Sequence, residues 1–262
     1  MADAPTNAPG SFCWPELSTS DQKAAKAFYS AVFGWDANDS PIGPDQVYTM
    51  FSLGGKAVGA AYTMGAEEKQ MAPPHWNSYV SVKSADETAK KAASLGGKVI
   101  KAPFDVMDAG RMAVVADPTG AFFCIWQPGK HNGVGVSGQP GTLCWTELST
   151  RDTKAAEKFY TQLFGWTAKH STPGGTMEYT EFSNNGVPGI GMMAMPPMVP
   201  AQVPPFWLPY FQVADVDATA AKATAKGAKV MAPPADIMGT GRFAVLNDPQ
   251  GASFALFTFA KK

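Results

Sequence analysis

The feature that most constrains this chain is that it contains the same sequence twice. The segment from Ser11 to Ala37, SFCWPELSTSDQKAAKAFYSAVFGWDA, returns from Thr142 to Ala168 as TLCWTELSTRDTKAAEKFYTQLFGWTA, with 16 of 27 positions identical. The offset is 131 residues, and it persists down the chain. Pro73, Pro74 and Trp76 return as Pro204, Pro205 and Trp207, and Asp105 returns as Asp236. Gly110 and Arg111 return as Gly241 and Arg242; Asp117, Pro118 and Gly120 return as Asp248, Pro249 and Gly251. A constant offset means that loops as well as core elements kept their lengths. A repeat this long is a whole domain rather than a solenoid turn.

The expected organisation is an N-terminal tail (1–10), a first domain (11–127), a linker (128–141) and a second domain (142–262). The stretch QPGKHNGVGVSGQPG, Gln127 to Gly141, is rich in Gly and Pro and poor in large apolar residues, the composition of a linker. Apolar residues make up 45% of the 262, enough to build a core for each domain. With 21 basic and 22 acidic residues the net charge is −1 and no basic cluster stands out, which argues against a nucleic-acid partner. No apolar stretch approaches the length of a membrane span. The first ten residues lack the basic and apolar regions of a secretory signal and are expected to be flexible. The three cysteines, Cys13, Cys124 and Cys144, form no Cys-x-x-Cys pair and no disulfide framework, so a cytoplasmic location is the expectation.

Within one repeat, Phe12 to Ser18 has strand character. A helix follows, capped by Asp21 or Ser20, with Ala25, Phe28, Tyr29, Val32 and Phe33 on one face and Gly34 at its end. Tyr48–Leu53 and Lys56–Met64 read as a hairpin turned at Gly54-Gly55. Asn77–Val82 reads as a strand, and Asp86 as the cap of a second helix closed by Gly96-Gly97. Strands near 98–100, 111–116 and 121–126 follow, the last two joined by the turn Asp117-Pro118-Thr119-Gly120. The order is βαβββ twice per repeat, an α+β fold.

These residues resemble the vicinal-oxygen-chelate superfamily of glyoxalases, bleomycin-resistance proteins and extradiol dioxygenases. The resemblance rests on the paired βαβββ modules, on D-x-x-x-A-x-x-F-Y-x-x-x-F-G-W from Asp21 to Trp35, and on D-P-x-G from Asp117 to Gly120, each present in both repeats. It implies four modules forming two half-barrel cavities. It also implies a monomer, because the duplication replaces the family's dimer. Metal-dependent members place His or Glu at four strand positions facing the cavity. Here the first position falls on Trp14 and Trp145, the third on Asn77 and Leu208, and the fourth on Cys124 and Ala255. The hairpin strand that would supply the second, Ala57 to Met64, contains no Asp, Glu or His, and neither does Val187 to Met195. His75, His131 and His170 fall in loops or the linker. The expectation is therefore no metal and no other cofactor.

Strand residues two apart share a face. If Trp14 and Trp145 face the cavity, so do Glu16 and Glu147. Asn77 is in phase with Tyr79, Leu208 with Tyr210, Cys124 with Trp126, and Ala255 with Phe257. Apolar walls with a few placed polar groups describe a pocket for a small organic ligand. Glu16 and Glu147 are the candidate acid–base groups, since a carboxylate among aromatic rings is expected to have a raised pKa. Trp14, Asn77, Tyr79, Cys124, Trp126, Trp145, Tyr210 and Phe257 are the candidate ligand contacts. Arg111 with Asp105, and Arg242 with Asp236, read as loop braces.

Three functions follow. One is metal-free acid–base chemistry on an aromatic or polyketide-like metabolite. The second is sequestration of a drug or metabolite without turnover, of the bleomycin-resistance type. The third is a metal-dependent glyoxalase or dioxygenase with displaced ligands.

Overall fold

The computed structural model describes residues 7–44, 46–172 and 177–260. In the first repeat β1 (Phe12–Thr19) leads into α1 (Gln22–Phe33), followed by β2 (Asp36–Gly43), β3 (Gln46–Leu53) and β4 (Lys56–Thr63). A short helix α2 (Ala66–Met71) precedes β5 (His75–Ser81), α3 (Ala85–Ser94), β6 (Lys98–Val106), β7 (Gly110–Ala116) and β8 (Phe122–Pro128). The second repeat runs β9 (Leu143–Thr150), α4 (Thr153–Phe164), β10 (Thr167–Ser171), β11 (Tyr179–Asn184), β12 (Val187–Ala194), β13 (Phe206–Gln212), α5 (Val216–Ala225), β14 (Lys229–Ile237), β15 (Gly241–Asn247) and β16 (Ser253–Phe259). Each repeat forms one eight-stranded sheet, ordered β2-β3-β4-β1-β5-β8-β7-β6 in the first and identically in the second. The fold is α+β, in tandem.

Local chemistry accounts for the helices. Asp21 caps α1, its side chain accepting from the Ala24 N–H, and Gly34 ends it at φ 75°. Asp152 and Gly165 do the same for α4. Ser84, not Asp86, caps α3 through the Glu87 N–H. Asp86 sits in the first turn instead and receives the Arg111 guanidinium at 2.7 Å, while Asp105 takes a second nitrogen at 2.9 Å. Arg242 repeats the arrangement with Asp217 and Asp236. Both arginines thus brace the β6–β7 and β14–β15 hairpins.

The chain packs as two compact units, and each unit draws on both repeats. Unit 1 contains residues through Trp14, Ser78–Gly133 and Trp145–Leu208; unit 2 contains Pro15–Asn77, Val134–Cys144 and the chain from Pro209 on. In unit 2 the core joins Phe28, Tyr29, Phe33, Trp35 and Phe51 of the first repeat to Phe211, Leu246 and Phe254 of the second. In unit 1 Val80, Phe123 and Ile125 join Leu148, Phe159, Tyr160 and Trp166.

The two recurring motifs lock these cores. In unit 2 the Tyr29 hydroxyl donates to Asp248 Oδ2 at 2.9 Å and accepts the Trp76 indole N–H at 3.1 Å. In unit 1 Tyr160 accepts from Trp207 at 2.9 Å, and burial first, then the nearby Asp117 charge, raises its phenol. The phenylalanine-tyrosine motif of one repeat therefore meets the Asp-Pro turn of the other. The Trp35 indole donates to the Gly141 carbonyl, and the Trp166 indole to the Gly10 carbonyl, each at 2.7 Å. Gly10 and Gly141 take φ values of 89° and 86°, and a Cβ at Gly10 would meet Asn184 Oδ1 at 2.8 Å. Glycine is the residue that tolerates both demands.

Two expectations change here. Pro9 and Gly10 are not flexible: Gly10 N–H donates to Ser81 at 2.7 Å and Pro9 accepts from Asn184 at 3.0 Å. The rest of the expected tail, 1–6, lies outside the described residues. The linker is pinned as well. Gly129 and His131 donate backbone N–H groups to Ala109, Lys130 to Asp108, Gly135 to Ala57, and Gly141 to Gln212. Its composition reflects tight packing against neighbouring backbone rather than freedom.

Candidate functional site

In unit 2, alternation along the strands sorts residues by face. Leu17, Phe51 and Ala61 enter the core with α1. Glu16, Ser18, Tyr48 and Tyr62 therefore lie on the opposite face. The register aligns them: Glu16 lies beside Ala60, Ser18 beside Tyr62, and Tyr62 beside Tyr48. The Tyr48 hydroxyl donates to Glu16 Oε1 at 2.7 Å, and Glu16 is only 8% exposed. Beside this pair runs a chain of hydrogen bonds. Asn77 Nδ2 donates to Ser18 Oγ at 2.9 Å, Ser18 Oγ to Tyr62 at 2.6 Å, and Tyr62 to Glu68 Oε1 at 2.6 Å. Burial first, then the Glu16 charge and the bond to Glu68, push the Tyr62 phenol well above its ordinary value. It is a neutral hydroxyl at physiological pH.

The equivalent strands of the second repeat lie in unit 1. Tyr179, the counterpart of Tyr48, donates to Glu147 Oε2 at 2.8 Å and accepts from the Trp145 indole at 2.9 Å. Burial, with the Glu147 charge next, raises the Tyr179 phenol strongly. Gly191 makes room for this group, since a Cβ there would collide with the Tyr179 hydroxyl and with Trp145 Nε1. The first repeat has Ala60 at that position. Met193, Leu208 and Val199 replace Tyr62, Asn77 and Glu68, so the polar chain belongs to the first repeat alone.

Unit 1 also holds an aromatic cluster. Tyr79 lies beside Cys124 and Met112 beside Trp126 in the sheet register. The Tyr79 and Trp126 rings are 6.3 Å apart, edge to face, and the Tyr79 hydroxyl contacts Met112 sulfur at 3.8 Å. His131 completes the cluster. Its ring lies 4.4 Å from Trp14 and 5.9 Å from Trp126, and its carbonyl accepts the Trp126 indole N–H at 2.9 Å. Its Nε2 is buried without a hydrogen-bond partner among the described residues, and burial lowers its pKa. In unit 2, Tyr210 and Phe257 pack edge to face at 6.4 Å, with Phe259 4.8 Å beyond.

The comparisons with known proteins agree with this architecture. The model of the Glyoxalase/Bleomycin resistance protein/Dioxygenase superfamily matches residues 12–125 and 142–256. This chain belongs to that superfamily. Among curated relatives, the Mycobacterium tuberculosis protein CFP32, named as a glyoxylase, is 43% identical over 244 residues, covering 93% of this chain and 92% of its own. The anthracycline biosynthesis protein DnrV of Streptomyces peucetius is 36% identical over 262 residues, covering 95% and 93%. Among solved structures, the Mn(II)-bound glyoxalase from Novosphingobium aromaticivorans superposes with TM-score 0.65 at 16% identity, over 94% of this chain and 81% of that one. The 2,3-dioxygenase LapB from Pseudomonas sp. KL28 gives 0.64 at 15%, over 95% and 92%. At such identities these two neighbours show the fold.

A superfamily metal would need donors that these positions do not offer. The indole of Trp14 or Trp145 has no lone pair to give, the Leu208 and Ala255 side chains have none, and β4 and β12 carry no Asp, Glu or His. Of the remaining positions, Asn77 offers an amide oxygen and Cys124 a thiol, fewer than the three or four donors such a metal takes. Among the described residues no three His, Cys, Asp or Glu side chains are grouped to hold an ion. The residues present do not fit the metal of the metal-bound relatives.

The structure thus brings Trp14, Tyr79, Cys124 and Trp126 together in unit 1 and pairs Trp145 with Glu147 through Tyr179. It brings Glu16 and Asn77 to one face of unit 2, where Tyr210 and Phe257 also meet. Sequence reasoning missed Tyr48 and Tyr179, although they share the repeat offset and stand in strands two partners away from the glutamates. It missed Tyr62 and Glu68, which have no counterpart to draw attention to them. It set His131 aside as a linker residue. Two open surface clefts, of about 280 and 210 Å³, lie at the Arg242 and Arg111 braces, the first lined in part by Phe259 and the second by Gly110, which packs on Trp126. Their guanidinium groups are already committed to aspartates.

Proposed function

We propose that this protein binds a planar, aromatic or polyketide-like organic molecule and performs metal-free acid–base chemistry on it with Glu16, and in the second repeat with Glu147. The observation that carries this reading is the buried Tyr–Glu pair, built twice on the sheet face opposite the core: Tyr48 on Glu16 and Tyr179 on Glu147. A buried carboxylate fixed by a phenol is pre-oriented to take a proton from a ligand and return it. Trp14, Tyr79 and Trp126 give that region of unit 1 an aromatic character of the kind that lines organic-ligand sites, with each ring at most 6% exposed and His131 packed against two of them. The relationship to a protein named for anthracycline biosynthesis supports a fused-ring aromatic ligand.

The test is product analysis by mass spectrometry after incubating the protein with a panel of aromatic polyketides, using wild type, Glu16→Gln and Glu147→Gln. Turnover that falls at least about a hundredfold in one variant while ligand binding persists is the expected result. Equal turnover in wild type and both variants refutes the carboxylate assignment. Binding without turnover in any form supports the second reading, sequestration.

A further inference from the structure

The polar chain of the first repeat has a direction, and the direction restricts what it can recognise. Asn77 donates to Ser18, Ser18 to Tyr62, and Tyr62 to Glu68. Glu68 lies on α2, a helix that buries none of its residues. Its carboxylate is the acceptor at the end of the chain, so both hydroxyl protons point outward along it. What remains on Tyr62 is oxygen lone-pair capacity, because the one phenol proton is spent on Glu68. Asn77 likewise keeps its amide carbonyl, because its nitrogen serves Ser18. Tyr62 and Asn77 are only half-buried, whereas Ser18 between them is fully buried. The two acceptors therefore flank a sealed hydroxyl on the same face as Glu16. A carboxylate at the end of such a chain also strengthens each bond in it.

We infer that Tyr62 and Asn77 form a specificity subsite of the first repeat that accepts a hydrogen bond from a free hydroxyl on the edge of the ligand, and that the second repeat lacks it. The inference rests on the proposed binding of a planar aromatic molecule. The second repeat has the carboxylate and its tyrosine but carries Met193, Leu208 and Val199 where the chain would be. A methionine and a leucine offer no acceptor of comparable strength. Etherifying the ligand hydroxyl removes its proton while keeping the flat ring system, so discrimination between a phenol and its methyl ether isolates this subsite from stacking and from Glu16.

The probes are anthraflavic acid, a dihydroxyanthraquinone whose hydroxyls lie away from the ring carbonyls, and its dimethyl ether. Dissociation constants are measured by quenching of tryptophan fluorescence on the full chain, below the pH at which the phenols ionise. Wild type is expected to prefer the phenol by about tenfold or more, the effect of one hydrogen bond to a charge-anchored acceptor. Tyr62→Phe and Asn77→Leu should each reduce that preference several-fold. Ser18→Ala, which breaks the chain without touching either acceptor's position on its strand, should reduce it partially. Thermal melts establish that each variant is folded, and the three substitutions lie on different strands, so the loss of one variant leaves two. A preference that is absent in wild type, or that survives in every folded variant, overturns the subsite while leaving the proposed binding intact. Failure of both probes to bind wild type overturns the subsite and the proposed ligand class together.

Discussion

Replacing Tyr29 with Phe removes one oxygen atom and tests whether the two repeats are locked by their shared motifs. The ring stays, stacked near Trp35 at 5.8 Å and against Phe254 at 5.7 Å, so packing changes little. Two interactions vanish. The Asp248 carboxyl loses its 2.9 Å donor, and the Trp76 indole N–H loses its 3.1 Å acceptor. Tyr29 and Asp248 are essentially inaccessible to water, so neither partner can be resolvated without local opening. At about 1–3 kcal/mol for each of the two buried groups left unpaired, the loss is about 2–6 kcal/mol. That corresponds to a fall in melting temperature of roughly 10 °C for a chain of this size. Urea denaturation measures it, and a double-mutant cycle assigns it. Tyr29→Phe with Asp248→Asn should be non-additive by at least about 1 kcal/mol, whereas Tyr29→Phe with Asp117→Asn should be additive. A single-variant loss below about 0.5 kcal/mol, or coupling to Asp117 instead of Asp248, would refute the exchanged pairing.

Three further outcomes are expected. Gly191→Ala forces a methyl group into the Tyr179 hydroxyl and the Trp145 indole, so it should cost about 1–3 kcal/mol and shift tryptophan emission, although Ala60 is native at the equivalent position. Burial raises the Asp248 pKa above its ordinary 3.8, so the folded chain keeps that proton to higher pH than the unfolded chain does. The stability it contributes is thus lost as pH rises from 3.8 through the raised value, and Asp248→Asn should flatten the stability profile across that window, as read by melts at stepped pH. Finally, each repeat expressed alone lacks the aspartate that its tyrosine meets and the half of the core that the other repeat supplies. Near-ultraviolet circular dichroism should show fixed aromatic packing only after the two halves are mixed; a natively packed single repeat would contradict the two exchanged cores.

The α+β class, the family and the element order apart from β2 and α2 were legible because a constant offset doubled every weak signal. The exchange of cores between repeats was not legible, for a definite reason. Both copies carry the same tyrosine, the same tryptophan and the same Asp-Pro turn, so the sequence contains no information about whether Tyr29 meets Asp117 or Asp248. Strand β2 escaped because Asp36–Gly43 is almost wholly exposed, contains Pro41 and shows no apolar alternation, as an edge strand often does. The role of His131 escaped because composition marks a Gly-rich stretch as a linker without saying what its few large side chains touch. For the site, strand phase placed both glutamates opposite their core neighbours Leu17 and Leu148. It could not find Glu68, which reaches Tyr62 from a helix in the loop that follows.

The central proposal is that the two carboxylate–phenol pairs, Tyr48 on Glu16 and Tyr179 on Glu147, act without a metal. Calorimetric titration of Mn(II), Ni(II) and Zn(II) into the chelator-treated full chain, with elemental analysis of the protein as purified, tests it most directly. The account predicts no stoichiometric site for any of the three and no metal retained through purification. One tightly bound ion per chain, lost on replacing Glu16 or Glu147, would contradict it.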